Sequence, residues 1–112
     1  MERPPIRFLM TAIVQEQDVD VAERALALLD VPVIHLASTG GFLGRRNATL
    51  LIGLPADAED EVLAALRKSC RQRIEYLAIP LEGSPLPLPT PVPVTVGGAK
   101  VFAIPVERYE EI

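Results

Sequence analysis

Apolar residues in this chain arrive in short runs separated by stretches that follow a helical period. Arg7 to Val14 (RFLMTAIV) is a compact apolar run with a β-branched end, and it predicts a first strand. Asp18 and Asp20 follow as acidic N-cap candidates, with Glu23 three residues after Asp20 as in a capping box. Val21, Ala25, Leu28 and Leu29 fall at i, i+4, i+7 and i+8, the spacing of one helix face. Asp30-Val31-Pro32 ends that helix, because proline disfavours the helical conformation in the residue before it.

Val33 to Ser38 reads as extended, and Thr39-Gly40-Gly41 as a loop whose glycines reach backbone angles closed to other residues. Asn47 to Leu54 (NATLLIGL) is another strand, closed by Pro55. A second helix is predicted from about Asp57 to Arg71. Its first turn carries Asp57, Glu59, Asp60 and Glu61, and its last turn Arg67, Lys68 and Arg71, so both ends suit the helix dipole. Val62, Leu63, Leu66 and Cys70 form its apolar stripe, and Ile74 to Ile79 reads as a fourth strand.

Pro80, Pro85, Pro87, Pro89, Pro91 and Pro93 then dominate the chain up to residue 93. Proline lacks an amide hydrogen, so this segment is neither helix nor central strand and is expected to lie extended. It reads as a stiff connecting loop or as an SH3-type ligand. Val94 to Val96, the Gly97-Gly98 pair and Lys100 to Val106 predict a hairpin with a two-residue turn.

The order strand, helix, strand, strand, helix, strand predicts an α+β, ferredoxin-like βαββαβ sandwich with an added C-terminal β-hairpin. The 112 residues are expected to form one domain, 1–112, with the Pro-rich loop at about 80–93. Two helices cover only one face of such a sheet. The runs FLMTAIV, TLLIGL and VFAIPV are nevertheless apolar at both parities, where a sheet with one wet face would alternate. Burying ~500 Å² of the second face is worth on the order of 12 kcal/mol before association costs. Self-association is therefore expected.

Composition narrows the function. The chain is 49% hydrophobic, 4% aromatic and without tryptophan, so aliphatic side chains must build the core. A net charge of −4 with pI ≈ 4.9 argues against binding nucleic acid, which needs a clustered basic face. No apolar stretch approaches the ~20 residues of a membrane span, and Met-Glu-Arg-Pro-Pro lacks a secretory cleavage pattern, so no membrane insertion is expected and a cytoplasmic location is. Cys70 is the only cysteine and reads as a small apolar core residue.

Catalytic machinery is hard to assemble from these residues. His35 is the only histidine, with no serine or cysteine nucleophile beside it in the local sequence and no second histidine or cysteine to share a metal. It reads as a satisfied or interface histidine in preference to a general base. The carboxylates cluster at helix starts and in the tail (Glu107, Glu110, Glu111), and there is no GxxxxGK[ST] phosphate loop. The chain is not expected to be an enzyme, to bind metal or to carry a cofactor.

Leu36-Ala37-Ser38-Thr39-Gly40-Gly41-Phe42-Leu43, followed by Asn47-Ala48-Thr49 and Gly53, resembles the signature loop of the P-II-like cyclic-di-AMP receptor family, within the nitrogen regulatory P-II-like signal transduction proteins. Ala12-Ile13-Val14-Gln15 with Gln17-Asp18 resembles that family's opening. Val96-Gly97-Gly98-Ala99 with Val101-Phe102 and Pro105-Val106 resembles its closing hairpin. The likeness runs from about Arg7 to Val106. It implies a ferredoxin-like subunit in a homotrimer, with cyclic-di-AMP or another adenine nucleotide bound at clefts between subunits and loop rearrangement that alters a protein target.

Carried over by position, Gly40, Gly41, Phe42, Leu43, Asn47 and Gly53 would line the cleft. The glycines admit backbone N–H groups to a phosphate or base edge, Phe42 offers a stacking face, and Asn47 can pair donor and acceptor with adenine. Phe42 reads equally as core or interface, and Gly53 as a site of close strand packing.

The chain departs from the family upstream of this loop. Messenger-binding members typically place Asn, Arg and Thr where this chain has Asp30, Pro32 and Ile34. Losing an arginine–phosphate contact and a hydroxyl would weaken binding by on the order of 3 kcal/mol. Gly44-Arg45-Arg46 also reorders the residues after the signature leucine. Arg45 and Arg46 either restore positive charge from another direction or are solvated loop arginines. Two readings stand: a sensor of a purine (di)nucleotide, and a P-II-like interaction module that has lost or changed the ligand.

Overall fold

The computed structural model describes residues 5–42, 45–79 and 90–112. The expectation for Leu43 and those for Pro80, Pro85, Pro87 and Pro89 lie outside these residues. In chain order the elements are β1 (Phe8–Gln15), a 3-10 turn (Glu16–Asp18), α1 (Val19–Leu28), β2 (Val33–Phe42), β3 (Arg45–Leu54), α2 (Glu59–Ser69), β4 (Arg73–Ile79), β5 (Thr90–Val96) and β6 (Ala99–Pro105). The architecture is mixed α+β with an antiparallel sheet and two helices, consistent with a ferredoxin-like fold.

The main sheet has the order β2-β3-β1-β6, and β4 pairs with β5 in a separate ladder. This corrects one expectation, the hairpin at Gly97-Gly98. The sheet position beside β1 belongs to β6, with Ala12 opposite Val101. The strands flanking Gly97-Gly98 do not form a hairpin: β5 pairs with β4 from Thr90↔Ile79 to Val96↔Arg73, whereas β6 pairs with β1. Both glycines adopt positive φ, +85° and +84°. The turn is used to carry the chain from one sheet to the other.

The strand expected from Val94 begins earlier, at Thr90, so the last prolines of the expected loop belong to β5. Pro91 and Pro93 lie in β5 opposite Ala78 and Tyr76, in a two-stranded ladder where every strand is an edge and missing donors are tolerated.

Met10, Ala12 and Val14 from β1 and Ala48, Leu50, Ile52 and Leu54 from β3 point to one face, where they pack against Ala22 and Leu26 of α1 and Val62 and Leu66 of α2. On α1 the buried residues are Val19, Ala22 and Leu26, while Val21 and Leu28 are exposed. The buried stripe is thus rotated from the one expected, and no side-chain cap closes the helix start. On α2 the expected Val62, Leu66 and Cys70 are all buried. Its acidic first turn and basic last turn frame Glu59–Ser69.

Opposite parities face away from the helices. Ile34 and Leu36 on β2 and Phe102 and Ile104 on β6 are about half exposed. Leu9 and Ile13 between them on β1 are partly covered. The second face of the sheet is apolar and lies open in the single chain.

Candidate functional site

The end of β1 and the start of β3 meet where Gln15 pairs with Asn47. Across this junction the register of β2 against β3 shifts. Ala37 pairs with Ala48 and Gly41 with Arg46, so Ser38, Thr39 and Gly40 face Asn47 alone. A bulge of this kind bends the strand and frees backbone groups from the ladder. The expected Thr39-Gly40-Gly41 loop therefore lies within β2, and its irregularity is centred on Asn47.

A cleft of about 390 Å³ opens beside this junction, lined by Ile13, Val14, Gln15, Asn47, Gln72, Gly97, Gly98, Ala99 and Lys100. Three carboxamides and one ammonium supply its polar chemistry. Carboxamides donate and accept together, as a purine edge requires, and an ammonium complements a phosphate. The Gln15 Oε1 accepts the Gly97 N–H at 2.8 Å, which fastens the glycine crossover to β1. The Gly98 N–H donates to the Cys70 carbonyl, so the same crossover is tied to the end of α2.

Glycine is required at 97 for space as well as for φ. A Cβ there would press into the Arg71 carbonyl oxygen and lie 2.9 Å from Arg73 Nη1.

Behind this wall the Arg73 guanidinium holds the buried Asp18 carboxylate at 2.8 Å and donates to the Arg71 carbonyl at 3.1 Å. Its hydrogen bond to Asp18 raises the arginine pKa further, so the guanidinium stays charged at any working pH. Burial pushes the Cys70 thiol up to about 11, with the Asp18 carboxylate adding to that shift and Arg73 opposing it.

The expected site residues separate into groups. Asn47 lines the cleft. Gly40, Gly41 and Phe42 close β2, with Phe42 paired to Arg45 and Gly41 to Arg46, at the end of the sheet nearest Asn47. Gly53 lies six positions further along β3, ~20 Å from Asn47 at the rise of a strand. There it is buried against Ile6 and Pro32, and a Cβ would come within 2.7 Å of Ile6 Cδ1. Its N–H donates to the Pro32 carbonyl at 3.0 Å. Close packing accounts for Gly53.

Gln15, Gln72, Gly97 and Lys100 were not among the expected site residues. Gln15 sits in the stretch that resembles the family opening, and Gly97 in the one that resembles its closing hairpin, but only the strand register shows that they share a wall.

His35 stands outside the cleft, 3.6 Å from a Glu23 carboxylate oxygen and pairing with Leu50 in the sheet. Among the described residues there is no group of three or more His, Cys, Asp or Glu able to hold a metal. No helix among them is long and apolar enough to cross a membrane.

A model of the cyclic-di-AMP receptor family matches residues 7–112, nearly the whole chain. The chain belongs to that family. A solved structure of a protein from Pediococcus pentosaceus, described as functionally unknown, is similar to this receptor-family chain at 32% identity. The two superpose with a TM-score of 0.75 over 96% of this chain and 98% of the other. The family is one of cyclic-di-AMP receptors, which supports a signalling role for this member.

Proposed function

We propose that this cyclic-di-AMP receptor family member is a cytoplasmic sensor that binds cyclic-di-AMP or a related adenine nucleotide at clefts between the subunits of a homotrimer, and passes the signal to a protein target. The observation that carries the reading is the Gln15–Asn47 pair, set opposite the β2 bulge and in one wall with Gly97 and Lys100. Asn47 and Gln15 would read the base, and Lys100 with Arg45 and Arg46 would face phosphate. Carried over from the family resemblance, Gly40, Gly41 and Phe42 would line the same cleft. The open apolar face, with Ile34, Leu36, Phe102 and Ile104, supports assembly from several copies. Such assembly would bring a neighbouring subunit against this cleft.

Isothermal titration against cyclic-di-AMP, cyclic-di-GMP, ATP, ADP and AMP tests this. Adenine nucleotides are expected to bind and cyclic-di-GMP to bind less. Silence across the panel at millimolar ligand overturns the reading.

A second reading is a P-II-like module that kept the scaffold and changed or lost the ligand. It is favoured by Pro32, whose carbonyl and ring are spent on Gly53, and by Ile34, whose apolar side chain is exposed on the open face. A protein partner whose binding ignores every nucleotide in the panel would select it.

A further inference from the structure

Next to the cleft, and sharing Gln72, Gly98 and Ala99 with it, α2 and β6 flank a half-open groove of about 320 Å³. Leu63, Leu66 and Cys70 descend from the helix, and Val101 rises from the strand. β6 is an edge strand of the main sheet and presents the small Ala99 to the groove. The groove's volume is that of about ten water molecules in the liquid, enough for a ligand body of comparable heavy-atom count.

The rim has the opposite chemistry. Arg67 and Arg71 stand at the groove, both exposed. Among the described residues neither has a carboxylate within ion-pair distance, and no acidic residue lines the groove. Arg67 lies in the last turn of α2, and Arg71 follows just beyond its end. An apolar floor under two guanidiniums suits a molecule with a hydrocarbon body and one anionic head, because a guanidinium binds a carboxylate through paired hydrogen bonds.

From this we infer that the α2–β6 groove is a binding site for a small amphipathic carboxylate, distinct from the nucleotide cleft and beside it. The head would lie between Arg67 and Arg71, and an aliphatic or aryl body would lie on Leu63, Leu66 and Val101. The two sites share Gln72, Gly98 and Ala99 as a common wall.

Amide chemical-shift titrations of the full chain with hexanoate and phenylacetate test the site. Hexylamine (same body, opposite charge) and acetate (same head, no body) are the controls. Both amphipathic carboxylates are expected to shift the amides of Cys70, Ala99 and Val101 and to saturate by ~10 mM, where even a site of 1 mM affinity is mostly filled.

Hexylamine is expected to bind at least tenfold more weakly. The double variant Arg67→Ala/Arg71→Ala, which changes only exposed side chains, is expected to lose tenfold or more in affinity. Ala99→Leu, on the same exposed edge, is expected to fill the groove and abolish binding. No shift with either carboxylate, equal binding of hexylamine, or unaltered affinity in the arginine double variant would each overturn the inference. None of these outcomes depends on whether a nucleotide binds the cleft.

Discussion

Arg73 and Asp18 stand 55 residues apart in sequence, and the guanidinium meets the carboxylate at 2.8 Å while the carboxylate is almost wholly withdrawn from water. The pair ties the first residue of β4 to the turn that precedes α1. A buried charge that loses its partner is far more costly than an exposed pair is beneficial. Arg73→Met is therefore expected to lower the urea midpoint markedly, by stranding the Asp18 carboxylate. Asp18→Asn is expected to lower it less, since the arginine it releases can reach water. Because the arginine pKa is raised, its contribution is complete below the unfolded value and is lost only in strong alkali. The difference between Arg73→Met and the parent is thus expected to be flat from neutral to moderately basic pH. Urea titrations at several pH values check both the ranking and the flatness.

Gly97 is expected to be the least substitutable residue of the crossover. At φ +85° any L side chain pays about 1–2 kcal/mol of backbone strain, and a Cβ there also presses into a backbone carbonyl that cannot move aside. Gly98 has the same strain, but its nearest neighbour would be the flexible Gln72 side chain at 3.1 Å. Gly97→Ala is expected to destabilise by about 2 kcal/mol or more and Gly98→Ala by less, measured by chemical denaturation.

Cys70 supplies a pH dependence of definite sign. Its thiol ionises at about 11 in the fold against 9.0 for the free group, chiefly because burial disfavours the thiolate. Between those values the unfolded chain has released a proton that the folded chain retains. Stability is therefore complete below pH 9 and falls as pH rises toward 11. Cys70→Ala is expected to flatten that decline. Thiol-reactive reagents are expected to label the folded parent slowly at neutral pH, since the group is both buried and protonated.

Asn47 and Gln15 carry the proposed recognition of the base. Asn47 is exposed at the start of β3, so its removal should leave the fold intact. Asn47→Ala is expected to weaken adenine-nucleotide binding by about tenfold, the worth of one or two hydrogen bonds. Gln15→Ala is expected to weaken binding and also to release the Gly97 N–H from its 2.8 Å partner, so a small loss of stability should accompany it. Titration calorimetry with cyclic-di-AMP, together with thermal melts, separates the two effects.

How far the sequence foretold this structure depended on the range of the interactions involved. The second helix was legible because its acidic start, basic end and Val62–Leu66–Cys70 stripe agree with one another. The first was legible in place but not in rotation. Val19, Val21, Ala22, Leu26 and Leu28 offer apolar residues on most of its circumference, and only packing selects Val19, Ala22 and Leu26.

Long-range pairing was less accessible. Nothing local distinguishes a strand that will join β1 from one that will pair elsewhere, so β6 and β4 could not be assigned from RIEYLAI and AKVFAIP alone. For the site, Asn47 came from the resemblance to the family loop. Gln72 and Lys100 belong to separate elements that only the crossover at Gly97-Gly98 brings together. The apolar second face, by contrast, was already implied by strands that are greasy at both parities.

That face yields the sharpest test of assembly. Ile34 and Phe102 are 60% and 58% exposed in the single chain, and each belongs to an outer strand of the main sheet. Lysine at either position keeps its stem on the sheet and its charge in water, so the isolated subunit should tolerate the change. An interface burying these residues should not, because a charge would then be enclosed without a partner. Ile34→Lys/Phe102→Lys is expected to remain folded by circular dichroism while light scattering shows its mass falling to a single chain. If the proposed clefts need two subunits, cyclic-di-AMP binding should disappear with assembly, although every cleft residue of the single chain is unchanged. A parent protein that is monomeric at working concentrations, or a double variant that keeps the parent's mass, would contradict the trimer.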